Sequence, residues 1–587
     1  MRNTRRQFSP AMLLRRAAHI RPPRSPPLTM GSEEKPRLAQ RSLGVTNRIW
    51  LIVGLIIVVL TLTHFILPST SSQTAPVQKI LKSKNYLNAS QNDPNPFPFC
   101  PLYGPGDDIG NKYGALALSQ SRMHLGSGAR IQRVLQRALS GQPVTISVIG
   151  GSISACHGAG DDPISPKCYP TIFFNWWNSI FPHPATELTN GAVRRTNSHY
   201  FGYCHSQHIP DVTDLVIIEL DTEDTPDRDS MEHFEVLVRS ILLRPDQPAV
   251  VLLGHFSPQV QVQYGFAGPD HWHDVVAQYY DVPHISTKPA LYPSYLASPS
   301  SISKFYADAV LASPAGHQVL ADVLSAYIQS QVCAAWDIAM GLAFDSSSAD
   351  GVFDAAVGAE GGVGSPNANG NGGGLFGGLG QRKGVPEPEN PNKKAGEEVD
   401  PSDPDARTKP SLPLGNAALR VPQLRIISPP PGEGSRPFEE ISPFCVSAND
   451  LVNPLPPSLF FGSGWFVHHP STGDANIAYA ASHYYYSTLP TSKIRIPLQV
   501  GAGDIGIYYV REKAGKQGFD EGSAVECWVD DNYAGAKTLE NAGESDGLVL
   551  EMIDHYVSRG SHFVECQLLG EEGEGVPPFK IVGVFST

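Results

Sequence analysis

From residue 49 onward, hydrophobic and polar positions fall into five regimes along this chain. Residues 49–67 (IWLIVGLIIVVLTLTHFIL) form an apolar run of 19 residues whose one ionisable side chain is His64, the length that crosses a hydrocarbon core. Residues 68–99 then read as a polar stem. From Cys100 onward, short β-branched runs alternate with segments of helical period: 144–149 (VTISVI), 214–220 (DLVIIEL) and 249–253 (AVVLL) predict buried parallel strands, and 231–243 and 315–332 predict helices. This alternation predicts an α/β domain over 100–345, a doubly wound parallel sheet with helices on both faces. Residues 346–436 are Gly/Asn-rich and then Pro/Glu/Lys/Asp-rich, with Phe376 the one aromatic between Ala355 and Pro437, so they predict a disordered linker. Over 437–587, five β-type runs (494–500, 505–510, 524–529, 562–568 and 579–585) are separated by Gly, Asp and Asn, the pattern of an all-β, sandwich-like domain.

Charge orients this arrangement. Residues 1–48 hold eleven Lys/Arg against two Asp/Glu, net +9, which leaves −22 on the remainder of a chain whose total is −13. The positive-inside rule puts that basic tail in the cytosol and everything after the apolar run on the lumenal side, as a single-pass type II signal anchor in the Golgi or ER lumen or at the cell surface. A cleaved signal peptide fits less well, because the basic region is long and no small-residue cleavage site closes the run. The acidic remainder excludes nucleic acid as the main partner. Eight cysteines lie on the lumenal side, where disulfides persist, and none has CxxC spacing. Five precede the linker and three follow it, so full pairing needs a bridge between the two domains, or else two thiols stay free. Asn88, in Asn-Ala-Ser, is an N-glycosylation acceptor.

Candidate chemistry begins where the first predicted strand ends. In Val148-Ile149-Gly150-Gly151-Ser152-Ile153-Ser154 a serine follows a buried strand and two glycines, so the hydroxyl projects into a cleft at the carboxyl edge of the sheet, as a nucleophile requires. It is not the GxSxG elbow. The block resembles the GDS-I-T/S motif that opens SGNH (GDSL-like) hydrolases, with Gly151 in place of the usual Asp. Later landmarks follow in the family's order over roughly residues 130–336. Asn190-Gly191-Ala192-Val193 resembles the second block, whose glycine N–H serves the oxyanion, with Arg195 or Asn197 at the later Gly position. Asp221-Thr222-Glu223-Asp224 resembles G-x-N-D, with Glu223 replacing an amide donor by a carboxylate. In place of D-x-x-H stands Asp308-Ala309-Val310-Leu311, followed by His317 at the start of the last helix.

The resemblance implies Ser152 as nucleophile, His317 as its base and Asp308 as the residue orienting that base. Backbone N–H groups at Ser152 and Gly191 would form the oxyanion hole, with no cofactor and no metal. Glu223, His157 and Trp465 are candidate substrate contacts, and Trp465, His468, His469 and Tyr484 to Tyr486 offer aromatic faces for a sugar ring. The linker and β tail (GDIGIYYVRE, CWVDDNYAGA, IDHYVSRGSHFVEC) are similar to fungal membrane-anchored, capsule-associated sequences. These features predict an esterase-like protein acting on O-acyl, typically acetyl, groups of glycans in the secretory pathway, by hydrolysis or acyl transfer. Two alternatives stay open: a non-catalytic glycan-binding or scaffold protein, favoured by Leu311 and Glu223, and a metal-dependent glycosyltransferase built on the acidic run Asp221, Glu223, Asp224, Asp227, Asp229. His255 with His271 and His273 lacks the geometry of a zinc site.

Overall fold

The computed structural model describes residues 41–42, 45–46, 49, 51–58, 81–89, 94–343, 421–428, 438–449, 460–471, 479–514 and 522–587. The chain divides into two units, Met1–Ile80 and Leu81–Thr587. In the first, Arg41–Ser42 pairs antiparallel with Val45–Thr46, and a helix covers Ile49 and residues 51–58. Among the described residues no helix is long and apolar enough to cross a membrane. The remainder of the expected span, 59–67, and most of the basic tail lie outside the described residues, as does most of the expected linker.

The second unit opens with an α/β domain built on α1 (Asp108–Gln120), β1 (Arg122–His124), α2 (Ala129–Leu139), β2 (Thr145–Gly150), α3 (Tyr169–Ile180), β3 (Glu187–Asn190), α4 (Ser198–Cys204), β4 (Leu215–Glu219), α5 (Arg228–Leu242), β5 (Ala249–Gly254), α6 (Pro258–Tyr264), α7 (Pro269–Tyr279), β6 (His284–Ser286), α8 (Lys288–Ala297) and α9 (Pro314–Ala339). The sheet order is β1–β6–β5–β4–β2–β3, parallel throughout except for β1 at the edge. Alternation along the strands fills both faces. Ile146, Val148, Ile217 and Val251 pack against α2, α3 and α9, whereas Ile149, Val216, Ile218 and Leu252 pack against α4 and α5. Helix starts are set by local chemistry: Asp227 caps α5 by accepting the Ser230 N–H at 2.8 Å, and Ser313 caps α9 with Pro314 in its first turn.

The domain begins earlier than composition suggests. Tyr86, Phe97 and Phe99, inside the expected stem, are buried in the core under α9, and the Tyr86 hydroxyl donates to Ile180 O at 2.5 Å. Aromatic residues spaced within a polar stretch escaped the periodicity argument because they reach the core singly. Residues 421–428, inside the expected linker, are likewise docked on α5. Arg239 donates to the Pro422 and Gln423 carbonyls and holds Glu440 through two bonds of 2.7 and 2.5 Å, and Val421 is buried.

The β domain comprises β7 (Phe444–Ser447), β8 (Phe461–Ser463), β9 (Phe466–His468), β10 (Tyr484–Ser487), β11 (Lys493–Val500), β12 (Ile505–Lys513), β13 (Ala524–Val529), β14 (Lys537–Glu540), β15 (Ala542–Gly543), β16 (Gly547–Asp554), β17 (Gly560–Leu568) and β18 (Phe579–Ser586). One sheet runs β8–β11–β17–β13–β14. The other runs β9–β10–β18–β12–β15, with β16 beside β12 and β7 beside β18. Inward residues of both, such as Ile494, Ile496, Val564, Ile507, Ile581 and Val584, form one core.

The outer face of the second sheet docks on the α4/α5 side of the α/β domain. Tyr203 stacks on Phe585 at 4.0 Å, Tyr200 meets Tyr508 edge-on at 5.2 Å, and the disulfide Cys204–Cys445 fixes the junction. The other disulfides are Cys100–Cys333, Cys156–Cys168 and Cys527–Cys566. The odd number of cysteines on each side of the linker is thus resolved by one bridge between the domains.

Candidate active site

Because β2 lies between β3 and β4, three loops meet at the carboxyl edge of the sheet: the turn carrying Ser152, the 191–197 segment, and the loop carrying Glu223. Ser152 is 7% exposed. Its N–H donates to Glu223 Oε1 at 2.8 Å, and its Oγ accepts the Arg195 N–H at 3.1 Å. Arg195 has φ +52°, the conformation a glycine adopts freely, so the backbone donor survives although the glycine does not. A Cβ on Gly151 would sit inside the Glu223 side chain. Gly151 and Glu223 therefore form a matched pair, and the departures at the two motif positions are linked in space.

Burial pushes the Glu223 carboxyl above its ordinary value, and its proximity to Ser152, whose N–H it accepts, only partly opposes this. Beneath the turn, Ser154 Oγ contacts Tyr169 Oη at 2.8 Å and donates to Glu219 Oε2 at 3.0 Å. Cys156–Cys168 closes the loop after the serine, and Asn190 Nδ2 donates to the Ser154 and Pro163 carbonyls, both at 2.9 Å.

The remaining expected site residues are placed elsewhere. His317 is fully buried at the start of α9. Its Nδ1 accepts the Tyr169 N–H at 3.3 Å, and burial, with His255 nearby, lowers its pKa to about 3. It makes no hydrogen bond to Ser152 or Asp308. Asp308 is exposed and accepts the Val310 and Leu311 N–H groups at 2.7 and 2.6 Å, which makes it a turn residue. Leu311, where the family has its base, packs against the core, and His255 Nε2 holds this loop by donating to Val310 O at 3.0 Å. Gly191 gives its N–H to Val148 O at 3.0 Å and lies so close to the His208 carbonyl that no side chain fits. The N–H that reaches Ser152 Oγ is that of Arg195. His157 pairs with Asp161 at 2.7 Å, and that bond, ahead of Arg194, holds the Asp161 carboxyl below its usual range. Trp465 is buried in the β-domain core and offers no face to a sugar. Asn88 is exposed.

The acidic run does not converge on a shared ion position. Asp221 and Asp224 grip His273 from both sides, at 2.8 and 2.9 Å, while Asp227 caps α5 and Glu223 faces Ser152. Burial alone would lower the His273 pKa, but the two carboxylates outweigh it and hold it at about 10.

Glu223 and Arg195 lie in the wall of a cleft of about 810 Å³ between the two domains, with Ser152 directly behind them. The α/β domain supplies Arg194, Asn197 and His199; the β domain supplies Tyr479, Tyr484 and Tyr508. Both arginines lie over the Tyr479 ring, at 5.6 and 5.4 Å, and Arg194 and Tyr479 share a parallel β-bridge. Of the aromatics singled out in the sequence, Tyr484 reaches this cleft, as does His468. Tyr479 and Tyr508 had no local signal, since the cleft exists only once two distant segments dock.

No protein-family model and no curated protein matches the chain. Among solved structures, the chain is similar to a two-domain esterase (CEX) active on acetylated mannans, with 17% identity, a TM-score of 0.50, and 80% of this chain and 98% of that chain covered. The structure of such an esterase co-crystallized with mannopentaose matches with 17% identity, a TM-score of 0.49 and the same coverage. A family 35 carbohydrate binding module from Clostridium thermocellum covers 25% of this chain and 100% of that module, with 13% identity and a TM-score of 0.18. The first of these likenesses carries the fold alone, an α/β domain with β-rich sheets, over four-fifths of the sequence.

Proposed function

We propose that this chain is an SGNH-type esterase that takes O-acylated glycan in the interdomain cleft, with Ser152 as nucleophile and Glu223 as proton acceptor. The observation that carries this reading is the hydrogen bond from the Ser152 N–H to the half-buried Glu223 carboxyl at the cleft wall, which holds that carboxyl beside the serine. Ser152 Oγ would bond to the acyl carbon as its proton passes to Glu223. Collapse of the tetrahedral intermediate would expel the sugar oxygen, which recovers that proton. Water, deprotonated by Glu223, would then free the acyl group and regenerate Ser152; a sugar hydroxyl in its place gives acyl transfer. The Arg195 N–H would steady the oxyanion, a contribution of about 3–4 kcal/mol in comparable sites. Tyr484 suits the apolar face of a sugar ring.

A second reading, glycan binding without catalysis, is favoured by one specific contact. A carboxylate occupies the Ser152 N–H, a natural oxyanion donor, and would repel an oxyanion unless protonated. Acetate release from acetylated mannan separates the two: the first reading requires release that Ser152→Ala abolishes, and the second requires retention of the polysaccharide with no release. As to location, the reading includes a type II membrane anchor at residues 49–67 in a fungal, capsule-associated-like protein. The basic tail, the apolar run and four disulfides among the described residues support a lumenal site.

A further inference from the structure

A second cluster of ligating side chains lies where α4 meets α5. His199, the second residue of α4, and Asp229 and His233, one turn apart on α5, place one donor atom each within 4.8 Å of one another. Nε2 of His199 is 3.6 Å from Asp229 Oδ2, Nε2 of His233 is 3.8 Å from Asp229 Oδ1, and the two imidazole rings are 4.4 Å apart. Adjacent donors around an ion with bonds of ~2.0–2.1 Å in tetrahedral array stand ~3.4 Å apart, so donors as far as 4.8 Å apart draw in by up to about 1.4 Å to close on an ion, a movement the exposed Asp229 side chain can share.

The helix of His199 is held from the β-domain side. The far end of α4 is tied by Cys204–Cys445, and the Tyr508 hydroxyl donates to His199 O at 2.6 Å. His233 is largely buried, with 15% of its side chain exposed, whereas Asp229 is 72% exposed, so the group is a half-open socket with a buried inner wall.

From this geometry we infer that His199, Asp229 and His233 bind a divalent transition metal ion of the zinc class, with the fourth position open. Two imidazole nitrogens and one carboxylate select zinc, cobalt, nickel or copper over calcium and magnesium, which prefer all-oxygen sets. His199 also lines the interdomain cleft, so an ion held here would stand at the rim of that cleft. The inference uses none of the residues assigned to acyl chemistry and stands whether or not Ser152 is a nucleophile.

The test is titration of the full chain, purified without an oligohistidine tag and stripped of metal, with Zn²⁺ against a chromophoric chelator, and with Co²⁺ read by its visible ligand-field bands. One equivalent of Zn²⁺ is expected, unaffected by millimolar Ca²⁺ or Mg²⁺. His199→Asn and His233→Asn should each weaken binding by at least the ~10–100-fold that loss of an outer partner costs. Circular dichroism and melting in chelator check that these variants fold. The exposed Asp229→Asn keeps the test decisive if a histidine variant does not, and it should lose the Co²⁺ bands. No equivalent bound by wild type, or binding unchanged in Asp229→Asn together with a folded histidine variant, would overturn the inference.

Discussion

Glu223 accepts the N–H of Ser152 at 2.8 Å, and its side chain fills the space that any residue larger than glycine would need at position 151. The carboxylate therefore stands where the G-x-N-D motif that this segment resembles has an amide donor. If it accepts the serine proton, its ionised form is the active one. Since burial pushes that carboxyl above the usual carboxylate range near ~4.3, acyl release should rise with pH through a value above that range. Glu223→Gln should lower kcat by about 10²–10⁴-fold with no change in fold, as measured by acetate release and circular dichroism.

The same pair makes a packing prediction. Gly151→Asp, which restores the common motif, should destabilise the protein by about 1–3 kcal/mol in urea unfolding, because the new side chain and Glu223 compete for one volume. Glu223→Asn in the same chain should recover about 0.5–3 kcal/mol of that loss as a coupling energy, and an additive double variant would show that the two positions do not interact.

His273, clamped by Asp221 and Asp224, predicts a pH dependence of stability. Its folded pKa of about 10 lies above the unfolded ~6.5, so its contribution is complete below the latter and is lost as pH climbs toward the former. Burial pushes the Asp221 carboxyl up, but the His273 bond and charge outweigh it, so Asp221 contributes stability above its unfolded pKa that fades under strong acid. His273→Gln should cost about 3–5 kcal/mol at pH 7, because two buried carboxylates lose their cation, and should flatten the decline in Tm between pH 7 and pH 10.

Cys204–Cys445 joins segments 241 residues apart and holds the wall of the cleft. Replacing both cysteines by serine should cost about 2–5 kcal/mol in denaturant unfolding, and limited proteolysis should then separate the two domains.

The buried strands 145–150, 215–219 and 249–254 were legible because β-branched runs bounded by Gly, Asp and Pro have few other solutions, and cysteine parity required a link across the linker if every thiol was to pair. The serine turn was legible for the same reason. The partner of the serine was not, because His317 resembles a base in sequence but is sealed under α9, and Glu223 reads as one acid in a run of five until packing gives each a separate task. Tyr86 and residues 421–428 look in sequence like chain outside the domains, because single anchors inside polar sequence leave no period. The cleft could not be read at all, since Arg194 and Tyr479 meet across 285 residues of chain.

Every step of acyl chemistry in this cleft depends on Ser152 as nucleophile. The full chain should be incubated with a fluorophosphonate and the modified residue located by peptide mass spectrometry, alongside Ser152→Ala and Glu223→Gln. Covalent phosphonylation is expected at Ser152, absent in Ser152→Ala and slowed in Glu223→Gln. Folded wild-type protein that stays unmodified, or that is labelled at another residue, would contradict it.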